Sequence, residues 1–376
     1  MNFRSNKAMS STAAMAVIII VVIIAAAGWT AYVGFPRMQT TTTVSTTTVG
    51  GSGSVSTVTA SGSTVTSTAT VTSNPIYLQP TTCTTNFNVG VFVSPPQSRV
   101  YDVLTQYNIG KEYAPTATFE SFSAGGDPAT AMVGGTAQMG YQGDPVFVPD
   151  IIKGAGIKVV SDVSSHELLW QIFTKPNGPY TTLSSLHGQT FAVSSIGSAG
   201  YYYLLYALNK TMGWKVNTDY KVSALGSNPA QFAAIEQGTV AASVNSYLTD
   251  LPFLQNSSIV SLYDFLAPGP NNGVWATTSF IQQHPECVQA VVNAFAAAAL
   301  LWDTNSTVGI SILEQDAHMT PSVAQIAYGS FSFSTSGAMS VSSHQAAVNF
   351  LYETGEITQN ISATSYIQPG FAPIIY

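Results

Sequence analysis

Asp127-Pro128-Ala129-Thr130-Ala131-Met132-Val133-Gly134-Gly135-Thr136-Ala137-Gln138-Met139-Gly140-Tyr141 holds one complete helix–turn–strand unit. A short polar side chain ahead of proline starts a helix well: the oxygen satisfies an orphan N–H, and proline removes another while presetting φ. Two glycines after Val133 supply the left-handed stop. Gln138 to Tyr141 then reads as a short strand. The same punctuation recurs outward at Asp144-Pro145, Asn228-Pro229 and Thr320-Pro321, and Gly238 closes another helical stretch after Glu236. Each Asp, Asn or Thr of these pairs is expected to cap, Asp127 and Asp144 included. Candidate strands are Phe87 to Val93, Thr118 to Phe122, Gln138 to Tyr141, Lys158 to Val163, Thr190 to Ser194, Tyr220 to Ala224 and Ala241 to Val244. Helical patterns follow nearly all of them, the mark of an α/β protein with parallel sheets.

Upstream the composition changes twice. Ala13 to Val33 is almost wholly apolar, about the length that crosses a bilayer as a helix. Arg4 and Lys7 precede it, which puts the N-terminus inside and the rest of the chain outside. A cleaved secretory signal is the competing reading. Lys7-Ala8-Met9-Ser10 resembles the processing site of archaeal prepilin-like (class III) signals. That resemblance implies a leader over 1–8, removed ahead of an anchor over 9–37 that is retained. Residues 38–80 follow, rich in Thr, Ser, Val and Gly. They read as a disordered, O-glycosylatable stalk, because they offer no apolar face to bury. Weak Val/Thr alternation makes a strand the poorer alternative.

The 376 residues contain 45% hydrophobic side chains but only 8% charged ones, against about 25% in an ordinary soluble protein. Two explanations stay open, a glycosylated exterior or an acidic milieu. No basic run interleaved with aromatics occurs, so nucleic-acid binding lacks its electrostatic footprint. Asn209, Asn256, Asn305 and Asn360 each head an N-x-Ser/Thr acceptor.

Within the βα region a more specific likeness emerges. Ala129 to Gly140 is similar to a helix–turn–strand of the form A-x-x-x-G-x-A-D-I-G. Leu183-Ser184-Ser185-Leu186-His187-Gly188-Gln189-Thr190-Phe191-Ala192-Val193, Gln231 to Ala242, and His284-Pro285-Glu286 follow in the same order. Together they resemble the type-II solute-binding proteins of ABC importers. The branch is the one that handles nitrate, alkanesulfonates, taurine and thiamine-pyrimidine precursors. Gln138 and Ala241 depart from it, standing where acidic residues are usual, and the Ser-rich stretch 330–343 has no counterpart.

The resemblance implies a two-lobed periplasmic-binding-protein-like fold with two hinge crossovers, near Gln171 to Thr174 and Gly273 to Thr278. Lobe one would comprise 81–172 and 274–376, and lobe two 173–273. It also implies a small-molecule solute, an ABC permease as partner, attachment to the membrane through the N-terminal helix, and no cofactor, metal or catalysis. Ligands of open α/β sheets bind beyond the carboxyl ends of strands. The candidates are therefore Ser94, Gln97, Tyr141, Gln142 and Asp144 from lobe one, and Ser194, Ser195, Gly197, Ser198, Asn245 and Tyr247 from lobe two. Cys83 and Cys287 would both lie in lobe one of an exported protein, which leaves one disulfide or none.

An enzyme is the rival class, including a thiamine-pyrimidine biosynthesis protein of the same fold, and a structural surface protein is the third. No G-x-S-x-G elbow, P-loop or H-E-x-x-H occurs, and His166, His187, His284, His318 and His344 are scattered singly.

Overall fold

The computed structural model describes residues 43–46, 56–60, 63–64 and 82–376, apart from 94–98, 165–168, 271, 316–317 and 331. The leader, the anchor and most of the stalk fall outside the described residues. The chain divides into two units, Met1–Asn74 and Pro75–Tyr376.

In the first unit, β1 (Thr43–Thr46), β2 (Ser56–Ala60) and β3 (Ser63–Thr64) form an antiparallel sheet, with Thr43 opposite Thr59 and Thr59 opposite Thr64. For these residues the expectation of a disordered stalk is corrected. Threonine and valine are β-branched and suit the extended backbone.

The second unit holds two five-stranded sheets. The first is built from β4 (Phe87–Phe92), β5 (Ala117–Phe122), β6 (Met139–Gln142) and β7 (Ile157–Ser164). Its helices so far are α1 (Arg99–Gln106), α2 (Ile109–Tyr113), α3 (Asp127–Val133) and α4 (Asp144–Ile152). The chain then enters the second sheet: β8 (Leu169–Thr174), β9 (Thr190–Val193), α5 (Ala199–Met212), β10 (Lys221–Ala224), α6 (Asn228–Gln237), β11 (Ala242–Ser246), α7 (Tyr247–Gln255) and β12 (Val260–Leu266). It returns with β13 (Asn272–Thr277), followed by α8 (Thr278–Gln283), α9 (Pro285–Thr304), α10 (Ser306–Gln315) and α11 (Pro321–Ser330). The chain closes with β14 (Met339–Ser340), α12 (Val341–Glu353) and β15 (Ile374–Ile375).

Both sheets share one plan. Strand orders are β5-β4-β6-β13-β7 and β10-β9-β11-β8-β12. In each, four strands run one way and the fourth in the order, β13 or β8, runs against them. This is a two-lobed α/β architecture, and all seven strands expected from the sequence are present. The lobe boundaries are not where they were expected. β8 lies wholly in the second sheet and β13 wholly in the first, so the chain passes between the sheets before Leu169 and again between Leu266 and Asn272. Gln171–Thr174 and Gly273–Thr277 are strand. Gly269 lies in the second crossover at φ +91°, and an added Cβ would come within 2.7 Å of the Ala347 Cβ on α12. Only glycine fits so close an approach.

The helix starts are also corrected in detail. Gly126, Gly143 and Ser227 occupy the cap positions of α3, α4 and α6, and no side chain caps there. Asp127, Asp144 and Asn228 are the first helical residues instead, with proline right behind.

Cys83 and Cys287 form a disulfide across 204 residues, fastening the segment before β4 to α9. The folded unit thus takes in the chain from at least Cys83. Among the described residues, α9 is the one helix long and apolar enough to cross a membrane, and two-thirds of that stretch is buried within the fold. It is the core helix of lobe one. The Ser-rich stretch also finds its place. Ser334 N–H donates to Val163 O, and Asp162 N–H donates to Gly337 O, so this segment borders β7 before α12 begins.

Candidate functional site

The carboxyl ends of β4, β6, β9 and β11 converge between the lobes. The cleft there is lined by Phe92, Gly125 and Gln142 from lobe one and by Trp170, Ser194, Ser198, Gly200, Asn228, Asn245 and Thr249 from lobe two. Among the described residues, no Lys, Arg, Asp, Glu or His lines it. Trp170 and Phe92 supply aromatic surface, and the remainder is amide, hydroxyl or backbone.

α5 starts at this cleft. Its cap Ser198 accepts from Tyr201 N–H at 3.2 Å and donates to Ser195 O at 2.7 Å. The turn before it needs Gly197 at φ +84°. A helix start leaves its first N–H groups without intrahelical partners and concentrates positive partial charge. Ala199 and Gly200, in that first turn, line the cleft.

The lobes are closed on one another. Gly126 N–H of lobe one donates to Ser195 Oγ of lobe two at 3.3 Å. A Cβ on Gly125 would sit 3.1 Å from the Ser198 Cβ. The space left is about 40 Å³, room for about three waters. A solute of several heavy atoms therefore enters only if the lobes part.

Gln142, Ser194, Ser198 and Asn245 of the sequence candidates line this space, but the two amides are partly engaged. Gln142 Nε2 donates to Gly125 O at 3.3 Å, while its Oε1 accepts from Gly143 N–H at 3.0 Å. Asn245 Nδ2 donates to Asp250 Oδ1 at 3.3 Å, beneath the cleft floor. Asp250 is fully buried, its Oδ2 has no partner, and burial pushes its carboxyl well above the usual range.

The other candidates lie elsewhere. Tyr141 is in the core, stacked on Phe295 with ring centroids 4.8 Å apart. Side chains alternate along a strand, so Tyr141 and Gln142 face opposite sides of the sheet. Ser195 acts as the lobe-bridging acceptor, Gly197 forms the turn, and Tyr247 opens α7 outside the lining. Ser94 and Gln97 fall outside the described residues. Gly125, Trp170, Asn228 and Thr249 were not foreseen. Asn228 was assigned to capping, and Trp170 belongs to a strand that βα periodicity does not reveal.

Asp144 belongs to a buried cluster beneath lobe one's side of the cleft. His344 Nδ1 lies 2.6 Å from Asp144 Oδ2, and its Nε2 lies 3.2 Å from Asp162 Oδ1. Tyr366 donates to Asp144 Oδ2 at 2.8 Å. The contact with Asp162 is close in distance but poorly directed, since neither atom has a well-formed hydrogen bond there. The imidazole is desolvated, yet two flanking carboxylates outweigh that and raise His344 to about 10. Burial pushes Asp162 up, offset in part by His344.

The family model described as NMT1/THI5 like matches residues 120–302. Among solved structures, a Candida albicans gene product described as having the generic periplasmic binding protein fold is 15% identical. It covers 78% of this chain and 99% of its own, at a TM-score of 0.67. The alkanesulfonate-binding protein of Xanthomonas axonopodis pv. citri, bound to MOPS, is 18% identical over 75% of this chain and 98% of that one, at 0.63. The periplasmic aliphatic sulphonate binding protein of Escherichia coli is 19% identical over 76% and 98%, at 0.57. No curated protein matches the sequence. The fold is that of the periplasmic binding proteins. The cleft just described is thus the inter-lobe cleft of a periplasmic-binding-protein fold, closed here by Ser195 and Gly126.

Proposed function

We propose that this protein is the extracytoplasmic solute-binding component of an ABC importer, held to the membrane by its N-terminal apolar segment. It would capture a small organic or oxyanionic solute between its lobes. The observation that carries this reading is the cleft: polar groups of both lobes and the start of a fourteen-residue helix meet in a space that opens only by lobe movement. A hinge around a solute fits that arrangement. The cleft's described lining residues offer neither a nucleophile paired with a base nor a cluster of titratable groups, as acyl or phosphoryl transfer would need.

With no cationic side chain among the described lining residues, an oxyanion would be held by neutral donors. These are the N–H groups of Ala199 and Gly200 and the hydroxyls of Ser194 and Thr249. A sulfonate or nitrate head suits them. The aromatic surfaces of Trp170 and Phe92 favour a second solute class, a flat pyrimidine-like ring, to which the NMT1/THI5-like match adds weight.

Mass spectrometry of solute co-purifying with the natively produced full chain tests the reading. So does calorimetric titration with taurine, ethanesulfonate and nitrate. Ser194 faces Gly125 across the cleft, so Ser194→Leu should wedge the lobes apart and weaken binding at least about tenfold, or roughly 1.4 kcal/mol. Undiminished binding by that variant would remove the cleft as the site.

A further inference from the structure

α5 joins two different places. Its first turn lines the cleft, while Leu205 at its middle and Asn209 in its last turn line a groove of about 350 Å³. Trp214, Lys215, Val216 and Tyr220 of lobe two form one wall, and Tyr352 to Glu356, at the end of α12, form the other. α12 is tied to lobe one by His344, so the groove draws on both lobes.

The chemistry here is the reverse of the cleft's. Two carboxylates, Glu353 and Glu356, stand among three aromatic residues. Among the described ion pairs none engages Glu353, Glu356 or Lys215. Glu356 is half-buried, and burial pushes its carboxyl up. Tyr220 is only 2% exposed, and its hydroxyl has no hydrogen-bond partner. Tyr352 is 48% exposed, an uncommon position for so large a ring. Two carboxylates and the aromatic faces outweigh the single ammonium, Lys215, among the groups the groove offers. Both are complemented by a ligand with positive charge spread over carbon-bound hydrogens.

We propose that this groove is a second small-molecule site, for an organic ammonium ion. Glu356 supplies the counter-charge, and the rings of Trp214, Tyr220 and Tyr352 supply the walls. Lys215 at the rim keeps the groove's excess of negative charge small. The selection therefore rests on the aromatic walls as well as on charge, and a bare metal ion is not the expected occupant.

The test is calorimetric titration of the full chain with choline and with its uncharged tert-butyl isostere. Choline should bind at least about tenfold more tightly than the isostere. Glu356→Gln and Tyr352→Ala, both at the surface, should each lower choline affinity by about tenfold while melting as the parent does. Ser194→Leu, which disables the cleft, should bind choline normally. Equal binding of choline and isostere, no saturable choline binding, or full affinity in Glu356→Gln overturns the proposal. Loss of choline binding in Ser194→Leu instead places the ammonium in the cleft, and overturns it as well.

Discussion

Each lobe buries acidic side chains beneath its half of the cleft, and the two do so by opposite means. In lobe one, Asp144 and Asp162 flank His344, with Tyr366 donating to Asp144. In lobe two, Asp250 has a single amide, Asn245, on one oxygen and no partner on the other. A buried carboxylate is costly unless it is paired or neutralised. Lobe one pairs its acids with a cation. Lobe two, with no cation acting on Asp250 among the described residues, favours the protonated acid. Lobe one's cluster also binds three distant segments together, α4, β7 and α12, at the base of both crossovers. The lobe-two acid binds only the residue that lines the cleft. One is a brace and the other a local support.

The strongest way to break this contrast is to remove the cation. His344→Ala should destabilise the protein by about 3–5 kcal/mol, because it leaves two buried carboxylates without compensation. Denaturant unfolding at neutral pH measures it, and a loss under about 1 kcal/mol would mean that the cluster is not a charge pair.

The same contrast predicts an alkaline limit. His344 is raised in the fold, so its contribution is complete below the unfolded imidazole value near 6.5 and fades as pH climbs through about 10. The parent should therefore lose a few kcal/mol between neutral pH and that limit, and His344→Ala should not. Parallel alkaline melting curves for the two proteins would refute the pairing.

Removing the charge at Asp250 should have the opposite effect on stability. A carboxyl raised in the folded state weakens the fold as pH rises from the unfolded value toward the folded one. Asp250→Asn should therefore stabilise by about 1–2 kcal/mol at neutral pH and flatten that slope. Destabilisation by this change would show that the carboxylate form is the native one.

The smallest effect sharpens the role of closure. Ser195→Ala removes the acceptor for Gly126 N–H and should shift the lobes toward opening by about 1 kcal/mol, leaving the melting temperature nearly unchanged. Small-angle scattering of the unliganded protein should report a larger radius of gyration than the parent's.

Some of this was legible before any coordinates. Proline behind Asp127, Asp144 and Asn228, with glycine behind Val133 and Gln237, marks helix ends through local backbone preference alone. That was enough for seven strands and for the fold class. The strands β8, β12 and β13 went unread because they are not flanked by the βα punctuation. Both crossovers were consequently placed too far along the chain. At the cleft, Ser194, Ser198, Asn245 and Gln142 follow strand ends closely enough to be named from order alone. Tyr141 sits one residue earlier, and alternation turned it into the core.

The sequence by itself determined what depends on neighbours in the chain: helix starts and stops, the strand rhythm, and a composition too poor in charge for nucleic-acid binding. The tertiary structure alone decided what depends on distant segments. Nothing local to Asp144 announces that His344 and Tyr366, some two hundred residues on, will meet it in place of the cap it was expected to make. Cys83 could have stayed free of Cys287, and Ser195 could have faced solvent rather than Gly126 of the other lobe. Local preference acts over a few residues of backbone, whereas burial and charge compensation act on whatever packing brings within a few ångströms.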